Sequence, residues 1–225
     1  MQSEIHWDDN TALIAILRGV LPERVIDVAN LIYAAGFRVI EVPLNSPDPF
    51  KSIAALCSGA KPDCWVGAGT VLNADDVRRT HAAGGRLIVA PNVDAAVIGE
   101  AIKLGMQVLP GIATATEAFT ALRAGARQLK LFPATTYGPR HLTALRSVLP
   151  REAGLLPVGG VAAEHIPDWL NAGACGFGFG SELFRPEYSL QDVERRAHRL
   201  VRAFRDARSG LAASPTTTSM TGRTA

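Results

Sequence analysis

Ala124-Gly125-Ala126-Arg127-Gln128-Leu129-Lys130-Leu131-Phe132-Pro133 holds one structural unit in miniature: a glycine that ends a helix, a short step, and an apolar strand interrupted by a single lysine. Glycine just past a helix end adopts the left-handed cap without steric cost. The same junction recurs at Ala35-Gly36, Ser58-Gly59, Ala83-Gly84, Leu104-Gly105, Ala153-Gly154 and Ala172-Gly173, spaced by 19 to 29 residues. That spacing fits one helix, one short strand and two loops, so each glycine announces a strand.

Eight strands follow from this count: Leu13 to Arg18, Arg38 to Leu44, Trp65 to Val71, Arg86 to Pro91, Gln107 to Ile112, Gln128 to Pro133, Leu155 to Gly160 and Gly176 to Ser181. They are short, continuously apolar and alternate with helices, as parallel strands covered on both faces do. Eight such units predict an α/β fold of the (β/α)8 TIM-barrel class rather than an open doubly wound sheet. Pro22 and Pro139 suit first helical turns, Asn73 suits a cap, and Thr114-Ala115-Thr116-Glu117 reads as a capping box. A last helix begins near Leu190, with Leu190, Val193, Ala197, Leu200, Val201 and Phe204 on one face and Arg195, Arg196, Arg199, Arg202 and Arg205 on a solvated one. The expected organisation is an extension over 1–12, a barrel over 13–208 and a disordered Ser/Thr/Ala/Gly-rich tail over 209–225.

Composition narrows the function. At 225 residues and 48% hydrophobic, the chain can bury one sizeable core. A net charge of +2 offers no polybasic footprint for nucleic acid or an anionic membrane. Apolar runs such as Leu13 to Leu17 are too short to span a bilayer or to serve as a signal peptide, so a soluble cytoplasmic protein is expected. Cys57, Cys64 and Cys175 lack CxxC spacing, and the five histidines lack HxH or HExxH spacing. Free thiols and no metal are expected.

Lys130 and Glu41 stand out because each interrupts an apolar strand, the latter within Val39-Ile40-Glu41-Val42-Pro43-Leu44. Desolvation there disfavours charge, lowering a lysine pKa and raising a glutamate pKa. A partly neutral amine attacks a ketone, and a nearby carboxyl moves the protons of imine chemistry. The competing readings are a snorkelling or ion-paired lysine and a glutamate that merely pairs with Arg18 or Lys130. Barrel sites lie at the C-terminal strand ends, where Arg18 and Thr70 also fall. Arg18 suits a carboxylate or phosphate or closes the mouth electrostatically; Thr70 suits a ligand or only backbone groups. Val158-Gly159-Gly160-Val161 and Phe179-Gly180-Ser181-Glu182 end the seventh and eighth strands, each with a short helical stretch expected after it. Close backbone approach and helix-start amides at Gly159, Gly160, Gly180 and Ser181 predict a phosphate site.

Ile16-Leu17-Arg18-Gly19, Ile40 to Pro47, Gly67-Ala68-Gly69-Thr70-Val71, Lys130-Leu131-Phe132-Pro133, Val158 to Val161 and Gly180-Ser181 together resemble, in order, the pyruvate-dependent class I aldolases that cleave 2-dehydro-3-deoxy-6-phospho sugar acids. The resemblance covers roughly Leu13 to Arg205. It implies that Lys130 forms a Schiff base with the C2 ketone and that Glu41 handles the protons. Pyruvate and glyceraldehyde 3-phosphate are the implied products. Arg18 and Thr70 are then expected on the carboxylate or neighbouring oxygens, with Phe132 and Pro91 as apolar walls. Asn45 and Val158 are similar to the galactonate branch, where the gluconate branch carries arginine and threonine. A homotrimer is implied, with no cofactor. The alternatives are a gluconate or dual-specificity aldolase, a metal-dependent sugar-phosphate epimerase, and a non-catalytic sugar-phosphate-binding barrel.

Overall fold

The computed structural model describes residues 7–213. Strands β1 (Leu13–Ile16), β2 (Val39–Pro43), β3 (Trp65–Gly69), β4 (Leu87–Val89), β5 (Gln107–Leu109), β6 (Gly111–Ile112), β7 (Gln128–Leu131), β8 (Gly154–Pro157) and β9 (Phe177–Phe179) make up the sheets. The helices are α1 (Val25–Ala35), α2 (Pro49–Gly59), α3 (Ala74–Ala82), α4 (Ala95–Lys103), α5 (Ala115–Arg123), α6 (Ala134–Arg146), α7 (Ile166–Asn171) and α8 (Leu190–Ala213). A six-stranded sheet runs β5-β4-β3-β2-β1-β9 and a three-stranded sheet β6-β7-β8. Their pairings are parallel, and a parallel bridge from Val158 to Gly178 links the end of β8 to β9.

The fifth expected strand, Gln107 to Ile112, is divided at Pro110 into β5 and β6. Proline has no N–H for the ladder, and the Pro110 carbonyl accepts a hydrogen bond from Lys130 N at 2.9 Å. Apart from β6, which ends at Ile112 as expected, the strands stop short of their expected C-terminal ends, leaving Arg18, Thr70, Pro91, Phe132, Gly159, Gly160, Gly180 and Ser181 in the loops that follow them and Val158 as a single bridge residue past β8.

Helix punctuation follows local chemistry. Gly36, Gly84, Gly105, Gly125 and Gly173 have positive φ, as the caps required, whereas Gly59 closes α2 and Gly154 opens β8. Asn73 accepts from Asp76 N, and Thr114 with Glu117 forms the capping box. Pro22 sits in a turn ahead of α1 rather than in it, and Pro139 restarts α6 after a break at Gly138, where φ is 73°. Leu190 is 39% exposed, because it stands at the first residue of α8 before the helix meets the core. The helix itself continues to Ala213, past the expected barrel end at residue 208; residues 214–225 of the expected tail lie outside the described residues. None of the described helices is long and apolar enough to cross a membrane.

Side-chain alternation along the strands divides the core in two. Ala15, Ile40, Val42, Val66, Ala68, Leu129, Leu131 and Leu155 face the helices and pack with residues such as Ile32, Val193 and Phe204. Ile14, Val39, Trp65, Leu87, Val89, Leu109 and Leu156 pack together on the opposite, inner face, and Trp7 from the N-terminal segment packs against them.

Candidate active site

Glu41 and Lys130 belong to the inner-face alternation. Glu41 lies two residues beyond Val39 and is level with Ile16 and Gly67, while Lys130 is level with Leu156. The apolar inner cluster thus forms a floor, and the two ionisable groups stand on or just above it toward the C-terminal strand ends. Glu41 is 2% exposed and Lys130 6% exposed. Burial pushes the Glu41 carboxyl up to about 7, against the pull of the Lys130 and Arg18 charges. Burial likewise holds the Lys130 amine below its ordinary value, with Glu41 opposing that shift and Arg18 adding to it. Neither group, nor Arg18, takes part in any of the ion pairs among the described residues. The snorkelling reading of Lys130 therefore fails on burial, and structural salt-bridge readings of either residue fail on contact.

One carboxylate oxygen, Glu41 Oε2, is buried with no hydrogen-bond partner among the described residues. A buried acceptor without a partner is costly, and it is the state in which a carboxyl can take a proton from a ligand. Gly69 makes room for it: a β-carbon there would lie 1.5 Å from Oε2. Beside the amine, the Phe132 ring centroid is 4.7 Å from Lys130 Nζ, giving the site an aromatic wall.

Arg18, at the rim, donates through Nη1 to Asn45 Oδ1 and through Nη2 to Thr70 Oγ1 at 3.3 Å. Thr70 has φ 57°, a left-handed conformation that breaks strand alternation and turns its hydroxyl toward Arg18. Next to Asn45, Ser46 is buried and its Oγ accepts the Gly19 N–H at 2.9 Å. Pro91 and Val158 continue the inner alternation of β4 and β8, and Val158 is buried against Gly178. Gly159 and Gly160 have φ of 100° and 76°, and Thr135 N donates to Gly159 O. The loops at Gly159-Gly160 and Gly180-Ser181 leave neighbouring strands, because Val158 bridges Gly178. The second loop is followed by a turn, not by the expected helix: Leu183 N and Phe184 N both return to Gly180 O, and Pro186 follows soon after. Sequence reading took Asn45 only as a mark of the galactonate branch and passed over Ser46, although their place in a Pro-flanked turn after a strand carrying Glu41 was a usable signal.

A cavity of about 1270 Å³ opens at the opposite end of the strands, beside Trp7, Gln107, Gln128 and Glu152, and is lined by neither Lys130 nor Glu41. The candidate site is placed at the buried amine and carboxyl, whose burial and shifted ionisation set them apart, rather than at this cavity. Among the described residues, no group of three or more His, Cys, Asp or Glu is arranged to hold a metal ion. Burial pushes the Cys57, Cys64 and Cys175 thiols up to about 11, which favours the protonated thiol over the thiolate near neutral pH.

Residues 9–197 match the family model described as KDPG and KHG aldolase. The chain is 48% identical over 185 residues to a probable 2-dehydro-3-deoxy-6-phosphogalactonate aldolase of Rhizobium meliloti (strain 1021), covering 82% of this chain and 87% of that one. It is 42% identical over 203 residues to the 2-dehydro-3-deoxy-6-phosphogalactonate aldolase of Escherichia coli (strain K12), covering 90% of this chain and 99% of that one. A solved structure of native KDPGal superposes with a TM-score of 0.88 at 42% identity, covering 93% of this chain and all of the other. Sequence and fold thus agree over nearly the whole molecule, and the chain belongs to the KDPG and KHG aldolase family.

Proposed function

We propose that the chain is a class I aldolase cleaving 2-dehydro-3-deoxy-6-phospho-D-galactonate to pyruvate and D-glyceraldehyde 3-phosphate. The observation that carries this reading is the buried amine of Lys130 sharing the inner face with the buried carboxyl of Glu41, each shifted toward its neutral form. The substrate follows from the relatives named for it at 42% and 48% identity, together with Asn45 and Val158.

Neutral Lys130 attacks the C2 ketone, and Glu41 supplies the proton with which the carbinolamine loses water. The resulting iminium is positively charged at C2. Glu41, now a carboxylate, takes the proton of the C4 hydroxyl; the C3–C4 electron pair moves into the iminium, and the aldehyde leaves. The enamine is protonated at C3, and water then releases pyruvate and returns the free amine. Because the iminium is the electron sink, the reaction needs no metal. Arg18 and Thr70 hold the carboxylate end of the substrate, and Pro91, Phe132 and Val158 wall the carbon chain. Gly159, Gly160, Gly180 and Ser181 receive the phosphate at two adjacent loops.

In this reading the two sheets close into an eight-unit barrel over 13–208. The Val158–Gly178 bridge and the continuity of β5 into β6 support that closure. A cytoplasmic homotrimer is the assembly proposed from the family resemblance, checked by solution mass. Parallel turnover of the two C4 epimers tests the substrate: faster cleavage of the galactonate compound is expected, and faster cleavage of the gluconate compound would overturn the assignment.

A further inference from the structure

Arg18 is fixed by two neutral acceptors, Asn45 Oδ1 and Thr70 Oγ1, and forms no ion pair among the described residues. A carboxylate would match the guanidinium fork and cancel its charge. Here the orientation is achieved without that cancellation. The loop that carries the guanidinium is tied down by the adjacent residue: buried Ser46 accepts the N–H of Gly19, whose φ is 80°. Asn45 and Ser46 thus hold the Arg18-Gly19 corner at two points, one on the side chain and one on the backbone. Exposed as it is, Asn45 contributes little to the core.

We propose that Asn45 is a positioning residue whose function depends on its being uncharged: it aims Arg18 at the substrate carboxylate while leaving the full positive charge available to it. This rests on the aldolase reading above, and it adds a requirement that reading does not contain. The retained charge acts on the groups below as well. Glu41 and Arg18 are the charged groups acting on Lys130, and Arg18 favours the neutral amine and the ionised carboxyl.

Asn45→Asp separates aim from charge, because aspartate keeps the acceptor and adds a compensating anion. Asn45→Ala removes the acceptor and leaves the charge. Borohydride trapping with pyruvate, titrated in pyruvate and in pH, reads both. For N45D the half-saturating pyruvate concentration is expected to rise by about three- to tenfold, and the pH profile of trapping to move to more alkaline pH as the Lys130 amine regains protons. For N45A a rise of about threefold is expected, with the pH profile unmoved. Superimposable pyruvate and pH curves for N45D and wild type would overturn the proposal. Equal losses in N45D and N45A, with parallel drops in melting temperature and no pH shift, would also overturn it by showing a purely structural role. Failure of the wild-type protein to trap pyruvate at all would instead remove the aldolase reading, so the two failures are distinguishable.

Discussion

Replacing Gly69 with alanine tests the acid–base role proposed for Glu41 without substituting Glu41 itself. The new β-carbon would lie 1.5 Å from Glu41 Oε2, 2.3 Å from Cδ and 2.6 Å from Oε1. Non-bonded heavy atoms settle at roughly 3.5 Å, so the carboxyl must withdraw by roughly 2 Å. The obstructing atoms are the end of a flexible side chain, and the strand can stay in place; the stability cost is about 1–3 kcal/mol. Catalysis is far less tolerant, since a misplacement of about 1 Å costs on the order of a hundredfold. Gly69→Ala is therefore expected to lower kcat by about a hundred- to a thousandfold while the protein remains folded, with slow but detectable pyruvate trapping. Turnover is followed as pyruvate release in a coupled dehydrogenase assay, and folding by thermal melting. Gly67→Ala is the control: its β-carbon would meet the Leu87 backbone oxygen at 1.9 Å, so the strands must part and the melting temperature falls with activity. A Gly69→Ala protein with turnover within a few-fold of wild type would refute the role given to Glu41 and the geometry behind it.

Further outcomes follow from the same site. The folded-state pKa of Glu41, about 7 against an ordinary 4.5, means that the native protein binds the extra proton between those values, so its stability declines as pH rises from about 4.5 through 7. Glu41→Gln removes that penalty and is expected to raise the melting temperature above pH 7, with the gain vanishing near pH 4.5; no gain at high pH would contradict the desolvated carboxyl. Lys130→Ala is expected to abolish imine formation entirely, whereas Glu41→Gln retains some imine and loses turnover steeply, as trapping and kinetics on each variant would show. Ser46→Ala strands the Gly19 N–H and is expected to cost about 1–2 kcal/mol, read by denaturant melting. Thorough chelation is expected to leave turnover unchanged, and loss of activity restored by a divalent ion would exclude the imine mechanism as written.

Much of this was legible in the chain because the signals are local. Helix-end glycines and an apolar run each report on a few neighbouring residues, and strand alternation placed Glu41 and Lys130 on one face once Val39 and Leu156 were known to be inside. The division of the fifth strand, by contrast, was missed although its cause is local, since Pro110 cannot serve the ladder. What stayed hidden depends on distance across the fold. The link from Arg18 to Asn45 spans 27 residues and that to Thr70 spans 52. Thr70 reaches Arg18 through a left-handed backbone that no propensity for threonine forecasts. The space Gly69 leaves for Glu41 is likewise a contact between strands, invisible in either segment alone. At the eighth strand, a helix was expected where a turn closes on Gly180; Arg185-Pro186 ends it before a helix can propagate.

The most direct test of the central claim is mass mapping of the protein after borohydride reduction in the presence of pyruvate. One reduced adduct per chain is expected, on the peptide containing Lys130, with none in Lys130→Ala. Unmodified protein, or an adduct on Lys51, Lys61 or Lys103 instead, would contradict it.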